Sequence, residues 1–418
     1  MKRPSPASLK RVTAENLERL GAARLAEILL EVAGTRVELK RRLRMELAAE
    51  QGAEHLLPEI DRRISLLAAS RGAVSWRQRP AFVRDLDGVR GLIAGRLAGL
   101  DAPAAQDRIV VFLGLSPHAQ RRVRDKEGAV DAVFARGARD AVELLGRAGP
   151  DDGGARLANA IAAQSSDWSR WSAGGLFEDH PDLARRTLAY LGARSGPAWA
   201  PVLRRLADAA GDPEAFRTTF SDEALRLPEI AAQAAERFLR ADRLEDARQV
   251  LEAAVKPGLF RRGRSGRAEP DFDWETVWIH YLELAGRPDE AQATRWASFE
   301  RTLSAERAKA YVKRLPDFDD VEAEERVFAT AAAHPDAERA LTLLVDWPAL
   351  PEAARFTAAR GDELKLSPEQ AELWSRRLRR RFPEAAQKLL RRAAAEAFRR
   401  REYKTSTQLT QEADAISS

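Results

Sequence analysis

Two pairs of similar peptides in the second half of the chain constrain its fold more than any other feature. PDFDW begins at Pro270, and PDFDD begins at Pro316, 46 residues later. RPDEA begins at Arg287, and the related HPDAERA begins at His334. Self-similarity at a period of this size is typical of proteins built from stacked helical repeats. The sequence therefore predicts a repeat array in this half of the chain.

Two-helix units can be placed around these peptides and on either side of them. We predict that the first helices of the units begin near Pro228, Asp273, Asp319 and Pro368. We predict that the second helices begin near Glu245, Asp289, Asp336 and Glu384. These starts give a period of about 44–49 residues, which lies in the range of helical-hairpin repeats.

Each unit carries a broad apolar stripe at helical spacing. In the first unit the stripe consists of Ile230, Ala231, Ala234, Ala235, Phe238 and Leu239. One hairpin cannot bury such a stripe alone, whereas neighbouring hairpins can cover one another. We therefore predict an all-α fold: a right-handed α-solenoid of helical hairpins of the TPR or HEAT type over residues 226–418, preceded by an N-terminal helical region.

The first half of the chain is also predicted to be helical, but without a visible repeat. We expect a flexible tail over residues 1–12, a helical region over 13–75 and irregular helical hairpins over 76–225. Thr13 and Thr35 are predicted to cap the first two helices. Sustained alternation of β-branched or aromatic residues is nearly absent, so strands are not expected.

A Ser- and Gly-rich stretch in the middle of the chain is predicted to be a loop. It reads SSDWSRWSAGGLFEDHP over residues 165–181 and contains Trp168, Trp171 and Phe177. Loops usually lie on the surface, where large aromatic side chains either fold back onto the protein or meet a partner. Both interpretations stay open, and the three aromatic residues form a candidate partner loop.

The absence of cysteine excludes several classes of protein. With Cys 0 in the composition, the chain has no disulfide, thiolate zinc site, iron–sulfur cluster or cysteine nucleophile. The N-terminal segment is basic but lacks the apolar stretch of a secretory signal. The longest apolar run, near Ile109 to Leu115, is too short to span a membrane. We therefore expect a cytoplasmic protein with no membrane partner.

Positive charge is concentrated near the C-terminus. The formal net charge of the chain is +5, whereas residues 374–404 contain ten Arg and two Lys against three Glu. A candidate face for a polyanion or an acidic partner consists of Arg376, Arg377, Arg380, Lys388, Arg391, Arg392, Arg399 and Arg400. If two antiparallel helices carry these residues, they could share one positive face. The alternative is a solvated cap at the end of the repeat array.

A second basic segment, FRRGRSGRAEP, contains Arg261, Arg262, Arg264 and Arg267. It is a second candidate for binding an acidic partner, but we prefer to interpret it as a flexible charged linker, because Gly, Ser and like charges favour disorder over packing.

An acidic cluster follows the second PDFD peptide. It consists of Asp317, Asp319, Asp320, Glu322, Glu324 and Glu325. Converging carboxylates could bind a divalent cation, but Asp319 as an N-cap with Glu322 three residues later also fits a capping box. Asp271 and Asp273 repeat this arrangement in the preceding unit, so capping is the preferred interpretation.

Sequence signs of catalysis are not found. The five histidines are scattered without HExxH-type spacing, and GxSxG, P-loop and GxGxxG motifs are missing. We therefore expect no metal, no cofactor and no catalytic residue, although distant residues can still assemble an active site.

One long segment carries a resemblance to a known family. The run from Arg295 to Leu350, which includes RLPDFDDVEAEER, resembles a bacterial family known only as domain of unknown function six-eight-eight-zero. The N-terminal LERLGAARLAEILLEVAG is also similar to the opening of that family, so the resemblance covers nearly the full chain. It implies kinship and brings no activity with it. The N-terminal pattern is also similar to helical parts of bacterial SWIM zinc-finger proteins, but their zinc site requires cysteines that this chain lacks.

Three functions therefore remain open at this level. The architecture favours a non-catalytic helical-repeat scaffold or adaptor that binds a protein or peptide partner. The alternative is a nucleic-acid-binding accessory protein that uses the Arg-rich C-terminal face. The third is an enzyme without a recognisable motif.

Overall fold

The computed structural model describes residues 12–254, 271–316 and 319–417. The regular secondary structure in these ranges is helical, and the only β-type pairing among them is an isolated parallel bridge between Val74 and Val123. The predicted all-α fold is confirmed. The chain divides into two compact units, Met1–Asp222 and Glu223–Ser418, which we call unit 1 and unit 2.

The helices of unit 1 are short and follow one another closely. They are α1 (Ala14–Glu18), α2 (Gly21–Thr35), α3 (Val37–Ala49), α4 (Ala53–Ala69), α5 (Arg79–Gly91), α6 (Ala98–Leu100), α7 (Ala102–Leu113), α8 (Ser116–Arg122), α9 (Ala129–Arg147), α10 (Pro150–Ala163), α11 (Ser165–Trp171), α12 (Pro181–Leu191), α13 (Ala200–Ala210) and α14 (Pro213–Arg217). A π-helical turn, Leu92–Leu97, joins α5 to α6.

The longest helix of unit 1, α9, lies at the centre of its core. Its apolar face is fully buried and packs against α5, α7, α8, α10 and α11. Gly154 of α10 permits a close approach to α12, because a Cβ at this position would lie 2.7 Å from Cβ of Arg186. The core of unit 1 is therefore built around α9, with these five helices packed against it.

The two predicted N-terminal caps have different outcomes. Thr13 is the N-cap of α1, and its side chain accepts a hydrogen bond from the Asn16 amide. Thr35 does not cap α3: it is the last residue of α2, and its hydroxyl donates to the Val32 carbonyl. The prediction for Thr35 is wrong because a threonine hydroxyl can bond backward within its own helix as readily as forward into the next.

Unit 2 continues the helical pattern with longer elements. Its helices are α15 (Pro228–Arg240), α16 (Leu244–Ala253), α17 (Phe272–Leu284), α18 (Pro288–Thr302), α19 (Ala305–Val312), α20 (Asp319–Ala333), α21 (Ala337–Asp346), α22 (Leu350–Arg360), α23 (Pro368–Leu378), α24 (Pro383–Arg399) and α25 (Tyr403–Ser417). Short 3₁₀ turns, Ala224–Arg226 and Gly361–Glu363, precede α15 and follow α22.

The predicted helix starts of unit 2 are confirmed. Each of the eight predicted starts lies within one residue of an observed helix start. Local chemistry explains this accuracy. Asp271, Asp336 and Ser367 cap α17, α21 and α23 through their side chains, and proline occupies the first turn of α15, α18, α23 and α24, where its missing N–H is tolerated.

The prediction of two helices in each repeat is incomplete. Within unit 2, a third helix follows the second in each of the three later repeats: α19, α22 and α25. These helices carry narrow apolar stripes. For example, the only fully buried apolar residue of α19 is Ala308, and those of α25 in the described part of the chain are Leu409 and Ala413. A stripe of one or two apolar positions is too narrow to stand out as periodicity in the sequence.

None of the helices in the described ranges is long and apolar enough to cross a membrane.

Candidate functional site

The predicted partner loop of residues 165–181 is folded into the core of unit 1. Its first part forms α11, so the loop prediction is wrong there. Trp168, Trp171 and Phe177 are buried, with exposed fractions of 1%, 4% and 1%. Trp171 stacks on Phe134 of α9, with the ring centroids 6.2 Å apart, and its Nε1 donates to Asp131. In this conformation the three aromatic side chains are not presented to a partner.

Most of the C-terminal cations are engaged within unit 2. The Arg377 guanidinium lies 2.9 Å from the Asp346 carboxylate and also donates to the Val345 carbonyl of α21. Lys388 Nζ donates to the Ala358 carbonyl of α22 at 2.9 Å. Arg392 Nε donates to the Leu364 carbonyl at the same distance. These three side chains link α23 and α24 by hydrogen bonds to α21, to α22 and to the segment that follows α22.

Four further members of the predicted face pair with acids that lie closer along the chain. Arg391 pairs with Asp414 of α25 at 3.2 Å. The other pairs are Arg376 with Glu372, and both Arg399 and Arg400 with Glu396. Such exposed pairs contribute little stability individually, but they neutralise much of the charge that the sequence concentrates here.

Arginines without an ion pair to any described residue remain at the turn between α23 and α24. They are Arg379, Arg380 and Arg381, all exposed. Arg399 and Arg400 lie at the opposite end of α24, about 25 Å away at 1.5 Å of rise per residue. The structure therefore brings the eight predicted cations together only in part and does not arrange them as one free face.

An open groove lies between α20 and α22. Its volume is about 530 Å³, and we call it the Phe356 groove. The floor consists of Phe328, Leu344 and Phe356, and exposed alanines form the rim: Ala329, Ala332 and Ala359. Charged side chains stand at its edges, namely Glu325, Glu352, Arg355 and Arg360. The groove therefore combines an apolar floor with a polar boundary.

The charged edge of the Phe356 groove is internally neutralised. Arg355 pairs with Glu352 at 2.5 Å. Arg360 donates to the carbonyls of Ala332 and His334 at the end of α20. It also bonds Glu363, and this hydrogen bond lowers the pKa of that carboxyl. The edge therefore carries little net charge.

A second groove lies between α22 and α24. It encloses about 470 Å³ and is lined by Ala354, Ala358, Phe382 and Ala385, with Arg381, Glu384 and Lys388 at its edge. Its cations and acids are mixed, so its charge does not select one kind of partner.

The acidic cluster after Pro316 does not form a metal site within the described ranges, where no group of three potential ligands converges. Asp319 is the first residue of α20, and Asp320 accepts a hydrogen bond from the Val321 amide. Glu324 accepts from Trp347 Nε1 at 3.3 Å. Asp317 lies outside the described residues, as does the basic segment that contains Arg261, Arg262, Arg264 and Arg267.

Sequence reasoning missed a basic cluster in unit 1. The loop between α4 and α5 carries Arg71, Trp76 and Arg77, and the end of α8 with the following loop carries Arg121, Arg124 and Lys126. Trp76 is 75% exposed, and it is the only one of the nine tryptophans that is exposed. The local signal was a tryptophan flanked by arginines between two helices. Only the fold shows that the second basic segment lies beside it.

The two segments are joined through the backbone. The Val74 amide donates to the Arg122 carbonyl at 2.9 Å, and Arg122 Nε donates to the Gly72 carbonyl at 2.9 Å. The His118 ring donates to the Ser70 carbonyl at 2.7 Å. We call the resulting surface the Trp76 surface; its members are Arg71, Trp76, Arg77, Arg121, Arg124 and Lys126.

These features define an all-α protein in which short helices pack into two compact units. The chain belongs to the family of unknown function DUF6880, whose profile matches residues 7–172 and 193–417. The predicted kinship is thus confirmed over nearly the whole chain. A search of curated proteins finds no match.

Proposed function

We propose that this protein is a non-catalytic, cytoplasmic helical-repeat protein that holds a protein or peptide partner, and that the Phe356 groove receives an apolar segment of that partner. The observation that carries the proposal is the pair of aromatic rings, Phe328 and Phe356, at the bottom of an open groove. Apolar clefts with a few charged groups at the edge are the usual form of recognition sites.

The shape and charge of the groove favour a peptide over a charged small ligand. Its arginines already satisfy Glu352, Glu363 and main-chain carbonyls, so an anionic ligand would have to displace these partners. Its rim is formed by alanines on two helices, which leaves room for the side chains of a partner helix or an extended segment. An apolar side chain on the partner would meet the floor directly.

The regular helix starts of unit 2 support a solenoid arrangement. Three-helix units at a period near 46 residues would correspond to repeats of the HEAT or armadillo size. Stacked repeats of this kind create extended surfaces that bind partner chains. The nucleic-acid alternative through the C-terminal face is less well supported, because most of its cations bind groups within unit 2.

The experiment places a charge on the rim of the groove without changing the core. Ala332 and Ala359 are exposed, so Ala332→Glu and Ala359→Glu should leave the free energy of unfolding within about 0.5 kcal/mol of the wild-type value. The full chain, its two variants and the control Ala293→Glu, an exposed position on α18, are used to capture proteins from the native cell.

We expect a partner that wild type and Ala293→Glu retain and that both groove variants lose at least tenfold. The retention should persist at high salt, because apolar burial is not screened. If every captured protein is retained equally by all four chains, the groove is not the binding site.

A further inference from the structure

We propose that unit 1 binds single-stranded nucleic acid on the Trp76 surface, with Trp76 stacking on a base and the surrounding cations contacting phosphates. This surface lies apart from the Phe356 groove in the chain and does not depend on the function proposed for unit 2. Failure of either proposal would leave the other standing.

The exposure of Trp76 is the first observation. Large aromatic side chains are normally buried, and the other eight tryptophans of this chain are buried or half-buried. Trp76 lies in a loop whose turn is fixed by Gln78, which accepts hydrogen bonds from the Ser75 amide and hydroxyl at 3.2 and 3.0 Å. The turn that carries Trp76 is therefore hydrogen-bonded, and the ring is exposed on it.

The second observation is that the cations around the ring have no ion pair with a described residue. Arg77 lies over the ring, with Cζ 5.0 Å from its centroid. Among the described residues, Arg71, Arg77, Arg121, Arg124 and Lys126 form no ion pair, whereas the neighbouring Arg79 is paired with Glu127. The nearby Asp125 carboxylate is already bound by the amides of Ala129 and Val130 at the start of α9. Local acids therefore leave these cations unneutralised.

The third observation is that the two segments are fixed side by side. The Val74–Val123 bridge and the bonds from Arg122 and His118 connect them through main-chain groups. The two segments that carry the cations are therefore already side by side before a ligand binds. This preorganisation reduces the conformational entropy lost on binding.

The chemistry of the surface selects a single strand among polyanions. A base stacks on an aromatic ring only when it is unpaired, and basic surfaces with exposed aromatics are the usual binding mode for single strands. A protein interface would instead need a buried apolar centre, and the side chains beside Trp76 are Ser75, Arg77 and Gln78. An anionic membrane would meet the same cations, so vesicles are one arm of the test.

The test measures the fluorescence anisotropy of a labelled oligothymidylate of 20 nucleotides with the full-length chain. If about five cations contact phosphates, the slope of log affinity against log salt is about −3.5 for a single strand. Affinity should therefore fall about a hundredfold between 50 and 200 mM salt.

Trp76→Ala should weaken binding about 5- to 150-fold, the range expected for loss of one stacked base. Trp76→Phe should restore most of this loss, because a phenyl ring still stacks. The triple variant Arg77→Glu, Arg121→Glu, Arg124→Glu should abolish binding. The matched control, Arg379→Glu, Arg380→Glu, Arg381→Glu, reverses the same amount of exposed unpaired charge in unit 2 and should bind like wild type.

Four outcomes would overturn the proposal. The first is no binding of the oligonucleotide at 50 mM salt and micromolar protein. The second is equal weakening by the two triple variants. The third is a 20-base-pair duplex that binds as tightly as the single strand, since a duplex cannot stack a base on Trp76. The fourth is binding to phosphatidylserine vesicles that is lost with Trp76→Ala while oligonucleotide binding is unchanged.

Discussion

The C-terminal Arg-rich segment and the Trp76 surface contain similar residues in opposite situations. Residues 374–404 hold the densest positive charge in the sequence, yet Arg377, Lys388 and Arg392 bind carbonyls and a carboxylate of neighbouring helices. The Trp76 surface draws on two segments about 50 residues apart, and its cations lack such partners. The same contrast holds for aromatic residues, because Trp168 is buried and Trp76 is exposed.

The density of positive charge along a sequence therefore does not measure the charge that is available to a ligand. An arginine on a crowded helix finds carboxylates one turn away or on the next helix, and its charge is then compensated. The cations of the Trp76 surface differ because the nearby acids are already bound, Asp125 by main-chain amides and Glu127 by Arg79.

The two tryptophans should differ most. Trp168→Ala removes a fully buried side chain from the core of unit 1 and should lower the free energy of unfolding by about 3–5 kcal/mol. Trp76→Ala should change it by no more than about 0.5 kcal/mol. Denaturant unfolding followed by circular dichroism measures both values. Similar losses for the two variants would mean that Trp76 packs against the protein.

Removing the cations of unit 2 that bind main-chain carbonyls should have an intermediate effect on the free energy of unfolding. The triple variant Arg377→Ala, Lys388→Ala, Arg392→Ala deletes hydrogen bonds to the Val345, Ala358 and Leu364 carbonyls. At about 1 kcal/mol for each bond, the free energy of unfolding should fall by about 3 kcal/mol.

The matched variant of unit 1 is Arg71→Ala, Arg77→Ala, Arg121→Ala. It removes cations without ion pairs among the described residues and should leave the same unfolding transition nearly unchanged. A loss as large as that of the unit 2 variant would remove the distinction between the two clusters.

A paired arginine should also give a small dependence on pH. The hydrogen bond from Arg360 lowers the pKa of Glu363 below 4.5, so the folded state favours the ionised carboxylate. The stability from this pair is present above pH 4.5 and is lost as the pH falls through the lowered pKa. Glu363→Gln should therefore reduce the change in thermal midpoint between pH 6 and pH 3. An unchanged pH profile would show that the pair does not form in solution.

Much of the fold follows from the sequence because its helix boundaries are chemically marked. Asp271, Asp336 and Ser367 cap helices, and prolines such as Pro228 and Pro383 begin them. The third helices of the units lack wide apolar stripes, and α11 has a Ser-rich sequence that resembles a loop. Those elements depend on contacts that only the folded chain supplies.

The candidate sites were less predictable because they depend on residues far apart in the chain. Arg377 pairs with Asp346 and Arg391 pairs with Asp414, and no local pattern shows either pair. The Phe356 groove requires α20 and α22 to be adjacent. The Trp76 surface requires the segments around Val74 and Val123 to be neighbours.

The Val74–Val123 bridge holds the two segments of this surface together through backbone atoms, whatever side chains the segments carry. The Val74 amide donates to the Arg122 carbonyl in this link. Every residue except proline has the backbone N–H that the link needs at position 74. Substitutions of the surrounding arginines would therefore change the charge of this surface and keep this link between the two loops. Substitution of Val74 by proline would remove the donor of this link and leave the two side-chain bonds, from Arg122 to Gly72 and from His118 to Ser70, to join the segments.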